Sequence, residues 1–142
     1  MNAAPAATAD PNAAPVVAVR GIVNRFGRQV VHDGLDMEIR SGEIFGIVGG
    51  SGSGKSVLLR TILGLQTPQA GEVWLNGREV SRLTGAELRQ AKRGYGVTFQ
   101  HGALFTALTV AQNVQLPIAE FCSLPDDVLD GLAHLKIRLV GL

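Results

Sequence analysis

A single cysteine, Cys122, excludes a disulfide framework within this 142-residue chain and fits a reducing compartment. It sits in Glu120-Phe121-Cys122-Ser123, where a small buried or half-buried thiol is expected rather than a nucleophile. Aromatic residues make up only 5% and the formal net charge is +1, so the strong basic bias of a nucleic-acid reader is missing. The one basic cluster, Arg82, Arg89, Lys92 and Arg93, falls around a predicted surface helix and reads as a solvated face. No apolar run approaches the roughly 20 residues of a membrane-spanning helix. His32, His101 and His134 are scattered, without a cysteine at metal-ligand spacing, so structural or surface roles are expected for them. Met1 to Pro15 is Ala/Pro-rich with one charge, Asp10, and has neither a cationic stretch nor a bulky apolar one. Residues 1–15 are therefore predicted to be a disordered leader rather than a signal peptide. What remains is a cytoplasmic chain of one domain or part of one, with 46% apolar residues to build a core.

Against this plain background stands Gly49-Gly50-Ser51-Gly52-Ser53-Gly54-Lys55-Ser56, a complete G-x-x-x-x-G-K-[ST] phosphate-binding loop. Ile44 to Val48 before it reads as a short buried strand. Val57 to Leu63 after it is apolar nearly all round and predicts a buried helix ending near Gly64. Gly49, Gly50, Gly52 and Gly54 can take φ > 0 and carry no Cβ, so successive N–H groups can turn inward around an oxyanion. The helix start adds unpaired amides and the positive end of its dipole. Lys55 brings a point charge for β/γ-phosphate oxygens, and Ser56 a hydroxyl for Mg²⁺.

Around the loop, Val16 to Arg25 predicts a strand, and Val30, Val31, Leu35, Met37 and Ile39 one or two more. Glu72 to Leu75 and Arg78 to Val80 flank Asn76-Gly77, the strongest short hairpin signal. Thr84-Gly85-Ala86-Glu87 and Thr109-Val110-Ala111-Gln112 are capping boxes, opening helices through about Lys92 and from about Ala111. Tyr95 to Phe99 predicts a strand with Gln100 at its C-terminal end. Pro125 suits the first turn of a last helix closed by Gly141. Asp126-Asp127 at that helix start is a capping and dipole feature.

With these elements placed, the chain resembles the nucleotide-binding subunit of ABC transporters from about Val17 to Leu142. The resemblance implies an α/β fold of the P-loop NTPase, ABC ATPase type, with an N-terminal antiparallel β subdomain. Residues 16–142 would be the N-terminal portion of the ATP-binding domain, from the phosphate loop through the Q-loop to the start of the helical subdomain. Phe26, followed by Gly27, sits where the family's aromatic residue stacks on adenine. Gly71 to Gly77 looks like a strand and turn of the antiparallel subdomain. Gly96-Val97-Thr98-Phe99-Gln100 looks like the strand into the Q-loop, which implies that Gln100 ligates Mg²⁺. On the residues alone, Phe26 is also readable as a packing aromatic of a hairpin and Gln100 as a strand-end amide.

The run His101 to Val110, with Asn113-Val114 and Pro117 beyond it, is similar to ATPases of Mla-type lipid transporters, which work with Mce-domain proteins. In ABC ATPases this segment faces the membrane subunits; otherwise Leu104, Phe105 and Val110 read as core residues of a loop–helix junction. The resemblance implies ATP and Mg²⁺ as cofactors, permease subunits as partners, a homodimer of ATPase subunits, and a place on the inner face of the membrane. The chain stops at Leu142 with no L-S-G-G-Q signature, Walker B strand, D-loop or switch histidine. Catalysis is therefore not assigned to these residues, and the strand Ile44–Val48 is expected to present a bare apolar edge. A non-catalytic nucleotide-binding module and an ABC ATPase for another substrate are the alternatives. A GTPase would need Asn-Lys-x-Asp, and a small-molecule kinase an Arg-rich lid; neither pattern occurs in the sequence.

Overall fold

A computed structural model describes residues 14–99 and 102–142, which divide after Tyr95 into two compact units. Most of the predicted leader and Gln100 lie outside the described residues.

The first unit is built on a four-stranded antiparallel sheet, order β2-β1-β3-β4, with β1 Val17–Phe26, β2 Gln29–Ile39, β3 Ala70–Leu75 and β4 Arg78–Glu79. The turn between β3 and β4 is the predicted Asn76-Gly77 pair. Both residues are left-handed, at φ 48° and 74°, the twist that matches a two-residue hairpin. Helix α1, Lys55–Ile62, lies against the sheet, and α2, Gly85–Lys92, follows the hairpin. Val19, Ile22 and Val73 from the strands pack with Leu58 and Ile62 of α1 to form the core.

A bulge decides which side chains of β1 face that core. Pairing with β2 shifts register between Val19 and Ile22, and pairing with β3 between Arg20 and Val23, around Gly21, which is left-handed at φ 57°. Val19 and Ile22 are three apart in sequence yet both buried, and Asn24 then follows on the same side. The shift needs Gly71 opposite, because a Cβ there would lie 2.5 Å from the carbonyl oxygens of Arg20 and Gly21.

Four expectations are corrected. Ile44–Val48 forms no strand: no described strand lies alongside to take its hydrogen bonds, and Ile44 and Val48 are 97% and 93% exposed. Tyr95–Phe99 likewise carries no ladder, although the Tyr95 hydroxyl donates to Leu63 O at 2.7 Å and burial pushes its pKa up. Helix α1 is not buried all round. Leu58, Thr61 and Ile62 face the sheet while Leu59 and Arg60 are exposed. It does end as predicted: Gly64 at φ 61° donates to Thr61 O while Leu65 donates to Arg60 O, the double bond of a Schellman stop. Thr84 is the N-cap of α2 but makes no side-chain capping bond, so that predicted box is not closed.

The second unit holds α3, Val110–Phe121, and α4, Asp126–Leu139. Here the predicted box is complete: Thr109 Oγ1 accepts from Gln112 N at 3.2 Å, and Gln112 Oε1 from Thr109 N at 2.9 Å. Gln115 Nε2 donates to Asp130 Oδ1 at 2.6 Å, tying the helices together, and Gly141 at φ 83° ends α4. Leu104, Phe105 and Val110 are not core residues but 70%, 58% and 62% exposed. Cys122 is exposed rather than half-buried, because it caps α3 where the chain leaves the helix.

Candidate functional site

Two glycines bend the phosphate loop, and a third is needed for space. Gly52 and Gly54 are left-handed, at φ 80° and 92°, the conformations that an L side chain resists. Gly49 is not, yet a Cβ there would lie 2.6 Å from Ser53 Oγ. Gly50 has neither constraint, so the expectation that all four glycines would supply φ > 0 holds for two. The chain turns at Ser53, whose N–H donates to Gly50 O at 3.3 Å.

Gly54 is the N-cap of α1, and the first helical bond runs from Leu58 N to Gly54 O at 2.8 Å. The amides of the first turn therefore have no helical acceptor. Gly54 has no side chain to cap them, and no acidic residue occupies that turn, so the positive end of the dipole is not neutralised locally.

Lys55 Nζ curls back over the loop, donating to Gly49 O at 2.5 Å and Gly50 O at 2.7 Å, with Ser53 Oγ at 3.4 Å. These bonds hold the ammonium at the loop itself rather than out in solvent. Ser56 follows on an exposed face of α1.

The loop opens on a cavity of about 210 Å³ lined by Phe26, Val31, Gly52, Ser53, Gly54, Lys55, Ser56 and Val57. None of these is acidic, and the one charge is positive. Phe26, at the end of β1 and 50% exposed, thus meets the loop across the cavity, although 25 positions separate it from Ser51. Gly49, Gly50 and Ser51 belong to the loop but do not line the cavity. Gln100 lies outside the described residues. Larger hollows of about 470, 560 and 250 Å³ lie on β1–β2, beside α2 and between α3 and α4, and contain no loop residue.

Beneath the loop is a polar cluster that the sequence reading missed. Asn24, His32 and Thr61 are buried, at 0%, 8% and 1% exposure. Thr61 Oγ1 donates to Val57 O at 2.9 Å, one turn back in α1. Asn24 Nδ2 lies 3.1 Å from Thr61 Oγ1 and 3.1 Å from His32 Nδ1. Burial lowers the pKa of His32. An asparagine on the apolar side of a strand was the available signal, hidden because the Gly21 bulge changes which side that is.

The ABC transporter family profile matches residues 32–140. Over 127 residues the chain is 35% identical to the intermembrane phospholipid transport system ATP-binding protein MlaF of Haemophilus influenzae, covering 89% of this chain and 48% of MlaF. Over 103 residues it is 45% identical to the methionine import ATP-binding protein MetN of Mesorhizobium japonicum, covering 72% of this chain and 28% of MetN. Among solved structures it resembles the ATP-binding cassette MJ0796, a dimer in a post-hydrolysis state bound to ADP and Pi. The TM-score is 0.78 at 27% identity, covering 89% of this chain and 57% of the cassette. The chain thus spans about half the length, or less, of the curated relatives it matches.

Proposed function

This chain belongs to the ABC transporter family as an ATP-binding cassette, and from that premise we propose that residues 16–142 are the nucleotide-gripping, N-terminal portion of a transporter's ATP-binding domain. The observation that carries this reading is the convergence of a glycine-bent loop, an uncapped helix start, the Lys55 ammonium and an exposed Phe26 on one cavity without acidic side chains.

The loop keeps this shape only where side chains are absent: a Cβ at Gly49 would lie 2.6 Å from Ser53 Oγ and one at Gly54 2.5 Å from Val31 Cγ1. Backbone amides from Gly49 to Ser56, with Ser51 and Ser53 between the glycines, would bind phosphate oxygens. Lys55 would exchange its carbonyl partners for them, Ser56 would hold Mg²⁺, and Phe26 would stack on the base. The family resemblance adds Gln100 as a second Mg²⁺ ligand. Bound Mg²⁺ supplies charge neutralisation between the phosphates.

As in the family, the partners would be permease subunits and a second copy, placing the chain on the cytoplasmic face of the membrane. Lipid or phospholipid is the cargo we favour, with an Mce-domain component. The run from Gly102 to Val110 and the similarity to MlaF support it. The higher local identity to MetN favours methionine import as the second reading.

Titration of the chain with ATP tests the site. Binding is expected to require Mg²⁺ and to weaken at least about tenfold in Lys55→Ala, the loss of one charge-assisted contact of about 1.5–3 kcal/mol. Equal binding by both proteins would remove the phosphate grip. For cargo, ATPase stimulation of the assembled transporter by phospholipid vesicles, set against methionine, separates the two readings.

A further inference from the structure

We propose that Asn24, His32 and Thr61 form a buried strut that sets the phosphate loop's entry into α1, with His32 as a positioning residue held in one tautomer. The inference rests on the nucleotide-binding reading of that loop.

The strut has a direction. The Thr61 hydroxyl has two acceptors in reach, Val57 O at 2.9 Å and Asn24 Oδ1 at 3.5 Å; its proton goes to the nearer, so its lone pairs accept from Asn24 Nδ2 at 3.1 Å. The second proton of the same amide nitrogen then points to His32 Nδ1, also 3.1 Å away. An amide nitrogen only donates, so Nδ1 must accept and the imidazole proton must sit on Nε2. A carbonyl inside α1 thereby dictates, through two side chains, the protonation pattern of a residue on β2.

The far side of the ring meets the loop. Gly54, the αL residue where loop becomes helix, would have a Cβ 2.7 Å from His32 Nε2 and 2.5 Å from Val31 Cγ1. The imidazole therefore occupies the space that a side chain at Gly54 would need. Its ring is a wall against which the left-handed turn is set, and that turn aims the amides of Lys55 and Ser56. The three residues join the β1–β2 hairpin to the helix, and the hairpin also carries Phe26 to the cavity. None of the three lines the cavity. They act through Gly54, not on the nucleotide.

The test has two arms on the full chain. Long-range ¹H–¹⁵N spectra of the histidine-labelled protein near pH 7.5 are expected to show His32 as the Nε2–H tautomer. In Asn24→Asp, which replaces the donor by an acceptor, the proton is expected to move to Nδ1. Observing Nδ1–H in the unsubstituted protein would overturn the strut. In the second arm, MgATP affinity is measured beside thermal unfolding. His32→Ala and Thr61→Val are expected to weaken affinity about five- to tenfold, and Thr61→Ser, which keeps the hydroxyl, to recover it. Lowered melting temperature with unchanged affinity would reduce the cluster to packing and defeat the proposal. Absence of ATP affinity in the unsubstituted chain would instead defeat the nucleotide reading, while the tautomer result still decides the hydrogen-bond direction.

Discussion

Asn113 holds Phe105 by both of its backbone polar groups: Phe105 N donates to Asn113 Oδ1 at 2.8 Å, and Asn113 Nδ2 donates to Phe105 O at 3.1 Å. The same nitrogen reaches Leu108 O at 3.2 Å and Thr109 O at 3.0 Å. One side chain on the first turn of α3 thus shapes a loop whose apolar tips, Leu104 and Phe105, are displayed to solvent. In the proposed assembly those tips face the permease.

Replacing Asn113 by Ala is therefore expected to release the loop without disturbing nucleotide binding. Each lost bond contributes about 0.5–1.5 kcal/mol, with exposure favouring the low end. Amide exchange at Phe105 should accelerate about two- to tenfold while MgATP affinity stays put. An unchanged exchange rate would show that the loop holds its shape by other means.

Two glycines of the phosphate loop should respond unequally to alanine. At Gly54 the left-handed backbone costs about 1–2 kcal/mol, and the collision with Val31 and His32 adds about 1–3 kcal/mol of overpacking. Gly50 has open space around its Cα and an ordinary φ, so Gly50→Ala should lie within about 0.5 kcal/mol of the parent. Urea midpoints measured side by side give the comparison; equal values for the two variants would contradict the geometry described for the loop.

His32 makes stability depend on pH in a definite direction. Burial lowers its native pKa below the ordinary 6.5, so in that interval the unfolded chain binds more protons than the native state. The contribution is complete above 6.5 and is lost as pH falls from there through the native value. Urea midpoints should accordingly drop between pH 7.5 and pH 5.5, with a shallower drop in His32→Gln. Parallel pH profiles for the two proteins would assign the dependence to other groups.

Cys122 should behave as a surface thiol. Its side chain is exposed at the C-cap of α3, so a soluble disulfide reagent is expected to label it fully in the native protein. The rate should match that in denaturant within a few-fold, and strong native protection would indicate a cover over this end of the helix.

Much of the molecule is legible in its sequence, and for local reasons. The phosphate loop, the Asn76-Gly77 hairpin and the Thr109 capping box each draw their conformation from adjacent residues. The Thr84 box was misread because its pattern demands a bond that the side chain does not make. The strands predicted at Ile44–Val48 and Tyr95–Phe99 failed because a strand exists only with a partner, and hydropathy does not name one.

The sequence by itself determined the chemistry of the loop: eight contiguous residues in which glycines free the backbone, a lysine adds charge and a helix begins. Only the tertiary structure decided what stands behind and across from that loop. Asn24, His32 and Thr61 meet because a one-residue bulge at Gly21 turns the side-chain phase of β1 toward α1, and the hairpin then carries Phe26 over to the loop. A phase change of that kind leaves no periodic trace, since it depends on Gly71 in a distant strand yielding the space.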